Sequence, residues 1–177
     1  MPTIVYVVGP TNAGKTHLMN AVHECPDMGT IEVGRMMRAK YPPEHFKGQN
    51  NPAHTAVEAW QMYLDGVAAQ QDKAAIWCDG QPRDQKQMEA VLEEKNPRIF
   101  VHLWAPVAIR EARARARDEH DPAKLALSLT RLNGDTPSSY DIITQLTLRD
   151  ELVVNVRTDV PSYKPTNLII AVRALLA

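Results

Sequence analysis

Gly9-Pro10-Thr11-Asn12-Ala13-Gly14-Lys15-Thr16 sets two glycines, a lysine and a hydroxyl in the order G-x-x-x-x-G-K-[ST]. Glycine at positions 9 and 14 lets backbone N–H groups curl around phosphate oxygens where a Cβ would obstruct them. The loop feeds a helix N-terminus, whose unpaired N–H groups and dipole favour an anion. Lys15 has the charge and reach for β- and γ-phosphates, and Thr16 offers a hydroxyl to Mg²⁺. Thr11, Asn12, Ala13 and His17 complete the segment that would face a triphosphate. The motif follows an apolar run and opens a helical stretch, the context its chemistry requires. It points to binding of a nucleoside triphosphate.

A second cluster, Asp79-Gly80-Gln81-Pro82-Arg83, follows the apolar run Ala74 to Cys78. The carboxyl ends of strands in an open parallel sheet face the ligand crevice. Asp79 would then lie beside the phosphate loop and hold Mg²⁺ through water, with Arg83 pointing into the same space. The same residue types also make an ordinary turn. Gln87 stands three residues after Asp84, the spacing of a capping box, so a helix cap and a substrate contact compete for it. At about 100° per residue, Arg110, Arg113 and Arg117 share a helix face, while Arg115 is placed to pair with Glu111. The shared face fits polyphosphate; the competing reading is a solvated helix.

These groups need elements to position them. Thr3 to Val8 reads as a strand covered on both sides, followed by a helix from Lys15 to about Glu24. Gly29 to Val33 predicts a short strand, and Arg35 to Lys40 a short helix stopped by Pro42 and Pro43. Residues 43–52 read as a loop. His54 to Gln70 reads as a helix packing through Val57, Trp60, Met62, Leu64 and Val67. Trp60, Met62 and Tyr63 are weighed as core against a base-stacking platform, with core favoured. A strand over Ala74–Cys78, a helix over Asp84–Lys95, a strand over Arg98–Trp104 and a helix over Val107–Asp118 follow. Pro122 to Leu132 predicts a helix, Asn133 to Ser139 a loop, Tyr140 to Asp150 a helix, Leu152 to Arg157 a strand and Thr166 to Leu176 a helix. Strands alternating with helices imply crossovers and a mostly parallel sheet.

Composition narrows the class. The 177 residues carry 20 Lys plus Arg against 21 Asp plus Glu, a net charge of -1 that argues against nucleic-acid packaging or polybasic membrane binding. The length suits a single domain with a real core. Cys25 and Cys78 are far apart and outside any metal-ligand pattern, which fits a reducing, cytoplasmic setting. No apolar run approaches the roughly 20 residues of a membrane helix, and Ile4 to Val8 lacks the length and the basic flank of a signal peptide. The six histidines form no H-x-x-x-H pair, so metal hydrolysis is unsupported.

The phosphate loop together with D-G-x-P-R resembles the adenylate kinase family of nucleoside monophosphate kinases. Gln87 follows Arg83 at the family's spacing, Ile31-Glu32-Val33-Gly34-Arg35-Met36-Met37-Arg38 is similar to the family's I-S-T-G-D-M-L-R, and Ala105-Pro106 with Arg113 and Arg117 is similar to the helix entering its lid. The matches run in family order to about residue 132. The resemblance implies an α/β, three-layer P-loop NTPase fold with a mostly parallel five-stranded sheet ordered 2-3-1-4-5. It also implies an acceptor-binding insertion over about 33–72 and a short lid over about 118–131. Carried over residue by residue, it implies that Arg38 and Arg83 grip the acceptor's phosphate with Val33, Gly34 and Gly80 around it. Gln87 would read the acceptor's adenine. Arg113 would lie against the donor's adenine, Arg117 would contact donor phosphates, and Arg131 would be a lid-side arginine near the transferring group. The sequence departs from the family at Val33 (for Thr), Arg35 (for Asp) and Gln81 (for Phe), which bears on base and sugar preference.

The leading expectation is therefore ATP-dependent, Mg²⁺-assisted phosphoryl transfer to a nucleoside or deoxynucleoside monophosphate, purine (AMP or dAMP) favoured. Its partners would be small-molecule nucleotides, with no nucleic acid and no membrane. Lys15, Arg38, Arg83, Arg117 and Arg131 would be catalytic, and no general base is needed because the acceptor phosphate is mostly dianionic near neutrality. A kinase for a sugar or sugar acid is a second reading and would place a carboxylate base beside Asp79. A non-catalytic nucleotide switch is a third, although no guanine-reading N-K-x-D is present.

Overall fold

The computed structural model describes residues 1–41 and 53–176. In chain order these form β1 (Thr3–Val8), α1 (Lys15–His23), β2 (Met28–Glu32), α2 (Val33–Lys40), α3 (Ala53–Ala68), β3 (Ala75–Asp79) and α4 (Gln85–Leu92). The chain continues through β4 (Arg98–Trp104), α5 (Val107–Asp118), α6 (Pro122–Leu148), β5 (Val153–Arg157) and α7 (Pro165–Leu176). The loop expected over 43–52, within the expected acceptor-binding insertion, lies outside the described residues.

The five strands are all parallel and ordered β2-β3-β1-β4-β5. Successive side chains of a strand point to opposite faces, so β1 feeds two cores. Ile4, Tyr6 and Val8 pack with Ile76, Phe100, Met88, Val91, Ile142 and Leu146 on one face. Val5 and Val7 pack with Trp77, Val101, Leu18, Met19, Ile169 and Val172 on the other. Burial on both faces explains why β1 reads as a continuous apolar run. Register then brings the two sequence clusters together: Val7 is opposite Asp79, so the phosphate loop and the D-G-x-P-R turn leave adjacent strand ends. Among the described residues no helix is long and apolar enough to cross a membrane.

Three local expectations are corrected. Val33, expected at a strand end, opens α2 and is buried with Met37 one turn later. The packing face of α3 is turned from the expected one: Tyr63 and Val67 are buried, whereas Val57 and Leu64 are exposed. Tyr63 wins the inner position because its hydroxyl has partners there, Tyr6 Oη at 2.5 Å and Glu94 Oε2 at 2.8 Å. That core placement agrees with the reading of Tyr63 as core rather than stacking platform.

The third correction is the loop over 133–139, which is absent: α6 runs unbroken through Gly134 and Pro137. Proline in a helix interior loses a hydrogen bond and crowds the preceding turn. The opposing term is a buried stripe, Ser128, Leu132, Ser139, Ile142, Ile143 and Leu146, that continues at helical spacing on both sides of the proline. The region expected to be a short lid is thus the α5–α6 corner and the first turns of α6.

Leu146 is fully buried in the core beneath this helix. Leu146→Ala is expected to cost about 2–5 kcal/mol, read as a lowered midpoint in urea unfolding. An unchanged midpoint would mean that α6 is not anchored through this stripe.

Candidate active site

The phosphate loop is held from behind. Gly9 has a φ of 154°, and a Cβ there would meet Leu103 O at 2.2 Å, so only glycine lets β1 end this close to β4. Gly14 caps α1 in the left-handed region with a φ of 100°. Each carbonyl between them has a donor. Arg110, nearly fully buried on α5, reaches Thr11 O at 3.4 Å and also donates to Ala105 O at 3.0 Å. Arg113 Nη1 donates to Asn12 O at 3.1 Å, and its Nη2 to Thr158 O at 2.8 Å. Thr158 Oγ1, from the β5–α7 loop, donates to Ala13 O at 2.8 Å. Lys15 Nζ donates to Gly9 O at 2.7 Å and Pro10 O at 3.1 Å.

Arg117 closes this arrangement at the α5–α6 corner. It donates to Asn12 Oδ1 at 2.9 Å and to both oxygens of Asp118, at 3.0 and 2.6 Å. Asp118 also accepts from Ser128 Oγ at 2.7 Å, which joins α5 to α6. The Arg117 and Ser128 hydrogen bonds hold the Asp118 carboxyl far below the usual carboxylate range.

In front of the loop lies a cleft of about 380 Å³, lined by Thr16, Asn20, Glu32, Gly34, Arg35, Arg38, Asp79 and Arg83. A Cβ on Gly34 would lie 3.3 Å from Arg38 Nη1 and 3.4 Å from Arg83 Nη2, so both guanidinium groups converge over Gly34. Gly80 has a φ of 105°, and a Cβ there would lie 3.1 Å from Arg83 Nη2. Arg83 Nε donates to Gly80 O at 2.9 Å, and Ser138 Oγ of α6 donates to Arg83 O at 2.9 Å. Asp79 Oδ1 is sealed from solvent without a hydrogen-bond partner. Burial pushes the Asp79 carboxyl up, with Lys15, Arg83 and Arg38 opposing and Glu32 adding to the rise.

Among the expected site residues, Thr16, Gly34, Arg38, Asp79 and Arg83 are brought to one cleft. Others are not. Val33 turns into the core. Gln87 Oε1 accepts from Arg83 N at 2.8 Å while Gln87 N donates to Asp84 Oδ1 at 2.8 Å. Asp84 thus caps the start of α4 through Gln87 N, and the Gln87 oxygen is committed to the backbone of Arg83, the residue before the cap. Arg113 and Arg117 meet the phosphate loop through its carbonyls and the Asn12 side chain. Arg131 is exposed on α6 and is not among the residues lining the cleft.

Sequence reasoning missed Arg110 and Thr158 as supports of the loop, and Glu32 and Asn20 as cleft residues. Arg110 was visible as part of the α5 face; Thr158 carries no motif. Glu32 accepts from His23 Nε2 at 2.9 Å and Arg35 Nη1 at 3.3 Å.

No family model and no curated protein matches the chain. Solved structures do. One is the crystal structure of a sugar kinase from Janibacter sp. HTCC2649, unliganded, 19% identical, with a TM-score of 0.58 over 99% of this chain and 95% of that one. This likeness agrees with the parallel 2-3-1-4-5 sheet and establishes the fold.

The raised Asp79 pKa carries a prediction. The folded state binds that proton more tightly than the unfolded chain, so ionised Asp79 lowers stability above its folded pKa. Asp79→Asn is expected to raise the melting temperature of the ligand-free protein at neutral pH. The gain should shrink as pH falls below the raised pKa and vanish at the ordinary carboxylate pKa, below which Asp79 is neutral in the folded and the unfolded chain alike. Melting curves showing a pH-independent loss instead would refute the assignment of burial as the dominant cause.

Proposed function

We propose that the protein transfers the terminal phosphoryl group of ATP to the phosphate of a nucleoside monophosphate. The observation that carries this reading is the convergence of Arg38 and Arg83 over Gly34, beside Asp79 and across from Thr16. Two planar forks at one point fit the oxygens of a phosphate already on the acceptor. They would align it with the donor and neutralise crowded charge, the main needs of phosphoryl transfer.

The donor phosphates would lie on the N–H side of the loop, with Lys15 exchanging its two carbonyl partners for phosphate oxygens. Thr16, and Asp79 through water, would hold Mg²⁺, which supplies charge neutralisation at the β- and γ-phosphates when bound. Asp79 and Thr16 line the same cleft, which suits that role. With the Gln87 oxygen engaged by the Arg83 backbone, a preference for a purine rests on the resemblance. The α5–α6 corner is the segment available to close over the reactants and exclude water. A cytoplasmic setting belongs to the same proposal.

A second reading is supported by one observation. Glu32 lines the cleft with Asp79, which is where a base for a hydroxyl acceptor, as on a sugar, would be expected. The fold likeness to a sugar kinase is compatible with it. A monophosphate acceptor needs no such base.

Lys15→Ala is expected to lower kcat by a factor of hundreds or more, on the order of the ~3–4 kcal/mol lost with a single electrostatic donor, while the melting curve stays intact. Near wild-type turnover would remove Lys15 from the chemistry. Arg83→Lys keeps charge but loses the fork, so kcat is expected to fall more than KM rises; an unchanged kcat would place Arg83 outside the site.

Product detection with ATP, Mg²⁺ and a panel of AMP, dAMP, GMP, dGMP, CMP, TMP, sugars and sugar acids tests the reading as a whole. A nucleoside diphosphate is expected, with purines first, and Glu32→Gln retaining most activity. A phosphorylated sugar as the product, abolished by Glu32→Gln, would replace this reading with the second.

A further inference from the structure

Of the three arginines on the α5 face, two are spent on backbone. Arg110 and Arg113 donate to Thr11 O and Asn12 O, carbonyls that the loop needs turned away from an anion. Arg117 differs. Its Nη1 meets a side chain, Asn12 Oδ1, at 2.9 Å. A carboxamide can rotate without moving the backbone of the loop, so this bond can be exchanged for one to a phosphate oxygen. The Arg117 side chain is also 51% exposed, whereas Arg110 is nearly fully buried.

Asp118 holds Arg117 in this place. Arg117 Nε donates to Asp118 Oδ1 at 3.0 Å and Nη2 to Oδ2 at 2.6 Å, a two-pronged pairing that fixes the guanidinium plane. One edge of the fork is thereby occupied, and Nη1 is left toward the loop.

Asp118 also accepts from Ser128 Oγ at 2.7 Å and lies 3.2 Å from Lys124 Nζ, both on α6. Those two contacts suffice to join α5 to α6. The Arg117 pair adds no such link, because the two residues are adjacent in the chain. Its consequence is local: a long side chain with many rotamers is held in one orientation before any ligand arrives. Ser128 Oγ accepts from Arg117 Nη2 at 2.8 Å and completes the arrangement. The Asp118 side chain is fully buried, a costly place for a charge unless it is well paired. The Arg117 and Ser128 hydrogen bonds keep it ionised.

We propose that Asp118 is a positioning residue for the phosphoryl donor: it holds Arg117 by one edge so that the opposite edge, resting on Asn12 in the free protein, is delivered to the donor's phosphates. The inference rests on the proposed reading of the loop as the donor's phosphate site, and not on the identity of the acceptor.

The test measures binding of inorganic tripolyphosphate and of Mg²⁺-ATP to the full chain by calorimetry, with urea unfolding run on every variant. Asp118→Asn keeps the shape but turns an NH₂ toward Arg117. Loss of a negative charge would, by Coulomb attraction alone, strengthen anion binding; loss of positioning does the reverse. Asp118→Asn is expected to weaken both ligands about tenfold, the scale of one hydrogen bond to a charged group. Arg117→Ala should do the same, and adding Asp118→Asn to it should weaken binding no further. Ser128→Ala removes a joint to α6 but leaves both prongs of the pair, so it should lower the urea midpoint with a smaller loss of affinity. Arg117→Lys keeps the charge, yet one ammonium cannot serve Asp118 and a phosphate as a fork does. It should bind as weakly as Arg117→Ala, and it tests the grip even where Asp118→Asn does not fold.

The proposal is overturned if Asp118→Asn binds as well as the wild type or better, or if Arg117→Lys does. It is equally overturned if Asp118→Asn weakens binding as much on Arg117→Ala as on the wild type, since Asp118 would then act only as a joint between helices. A wild-type chain that does not bind tripolyphosphate overturns this inference and the functional reading together. Donor binding with the expected pattern but without formation of a nucleoside diphosphate supports the inference and counts against the monophosphate acceptor alone.

Discussion

A phosphate loop works only if its carbonyl oxygens are turned away from the anion, because a peptide that points its C=O inward repels what its N–H groups should bind. Most of the surrounding structure serves that constraint. Thr11, Asn12 and Ala13 each direct a carbonyl to a donor on another element: Arg110, Arg113 and Thr158. In the ligand-free state Lys15 folds back to do the same for Gly9 and Pro10. The α5 arginine face is therefore a structural clamp whose charge also lies near where donor phosphates would sit. Its members are not interchangeable, since each is bound to a different acceptor.

The cleft in front of the loop follows the opposite rule. There, some polar groups are left with little to bind. Asp79 carries a sealed oxygen without a partner and a raised pKa, and Arg38 and Arg83 are crowded over a glycine. Groups held this way are destabilising in the free protein, and the proposed function would relieve them with an anion and a cation together. The supports are again remote. Gln87 fixes the Arg83 backbone from α4, and Ser138 fixes it from α6. Because α6 also meets Arg117 through Ser128, one helix touches both the clamp behind the phosphate loop and Arg83 in the cleft. A movement of α6 would bear on both ends of the cleft.

Much of the fold was legible because parallel strands buried on both faces leave a strong imprint. Ile4 to Val8 and Ile99 to Leu103 are apolar at nearly every position, and the helices between them make a crossover topology unavoidable. The errors fell where packing overrode local signals. Gly134 and Pro137 form a good turn by composition, yet the stripe from Ser128 to Leu146 has more to gain by remaining one helix. On α3, Leu64 is the more apolar residue, but Tyr63 takes the buried position because Tyr6 and Glu94 offer partners for its hydroxyl. Propensity scales cannot see a partner that arrives from another strand.

The sequence by itself determined the phosphate loop, the acidic turn with its arginine, and the strand–helix alternation that must set them at one edge of a sheet. These are local: each follows from residue types at short spacing and the geometry of a single peptide segment. Tertiary structure decided what no short window contains. It paired Val7 with Asp79, turned Val33 inward, gave the Gln87 oxygen to the Arg83 backbone, and left Arg131 outside the cleft. It also brought Arg110 and Thr158, 48 positions apart in the chain, to neighbouring carbonyls of the same loop. The physical reason is that hydrogen-bond satisfaction and burial are properties of neighbours in space, and only the folded sheet determines which residues become neighbours.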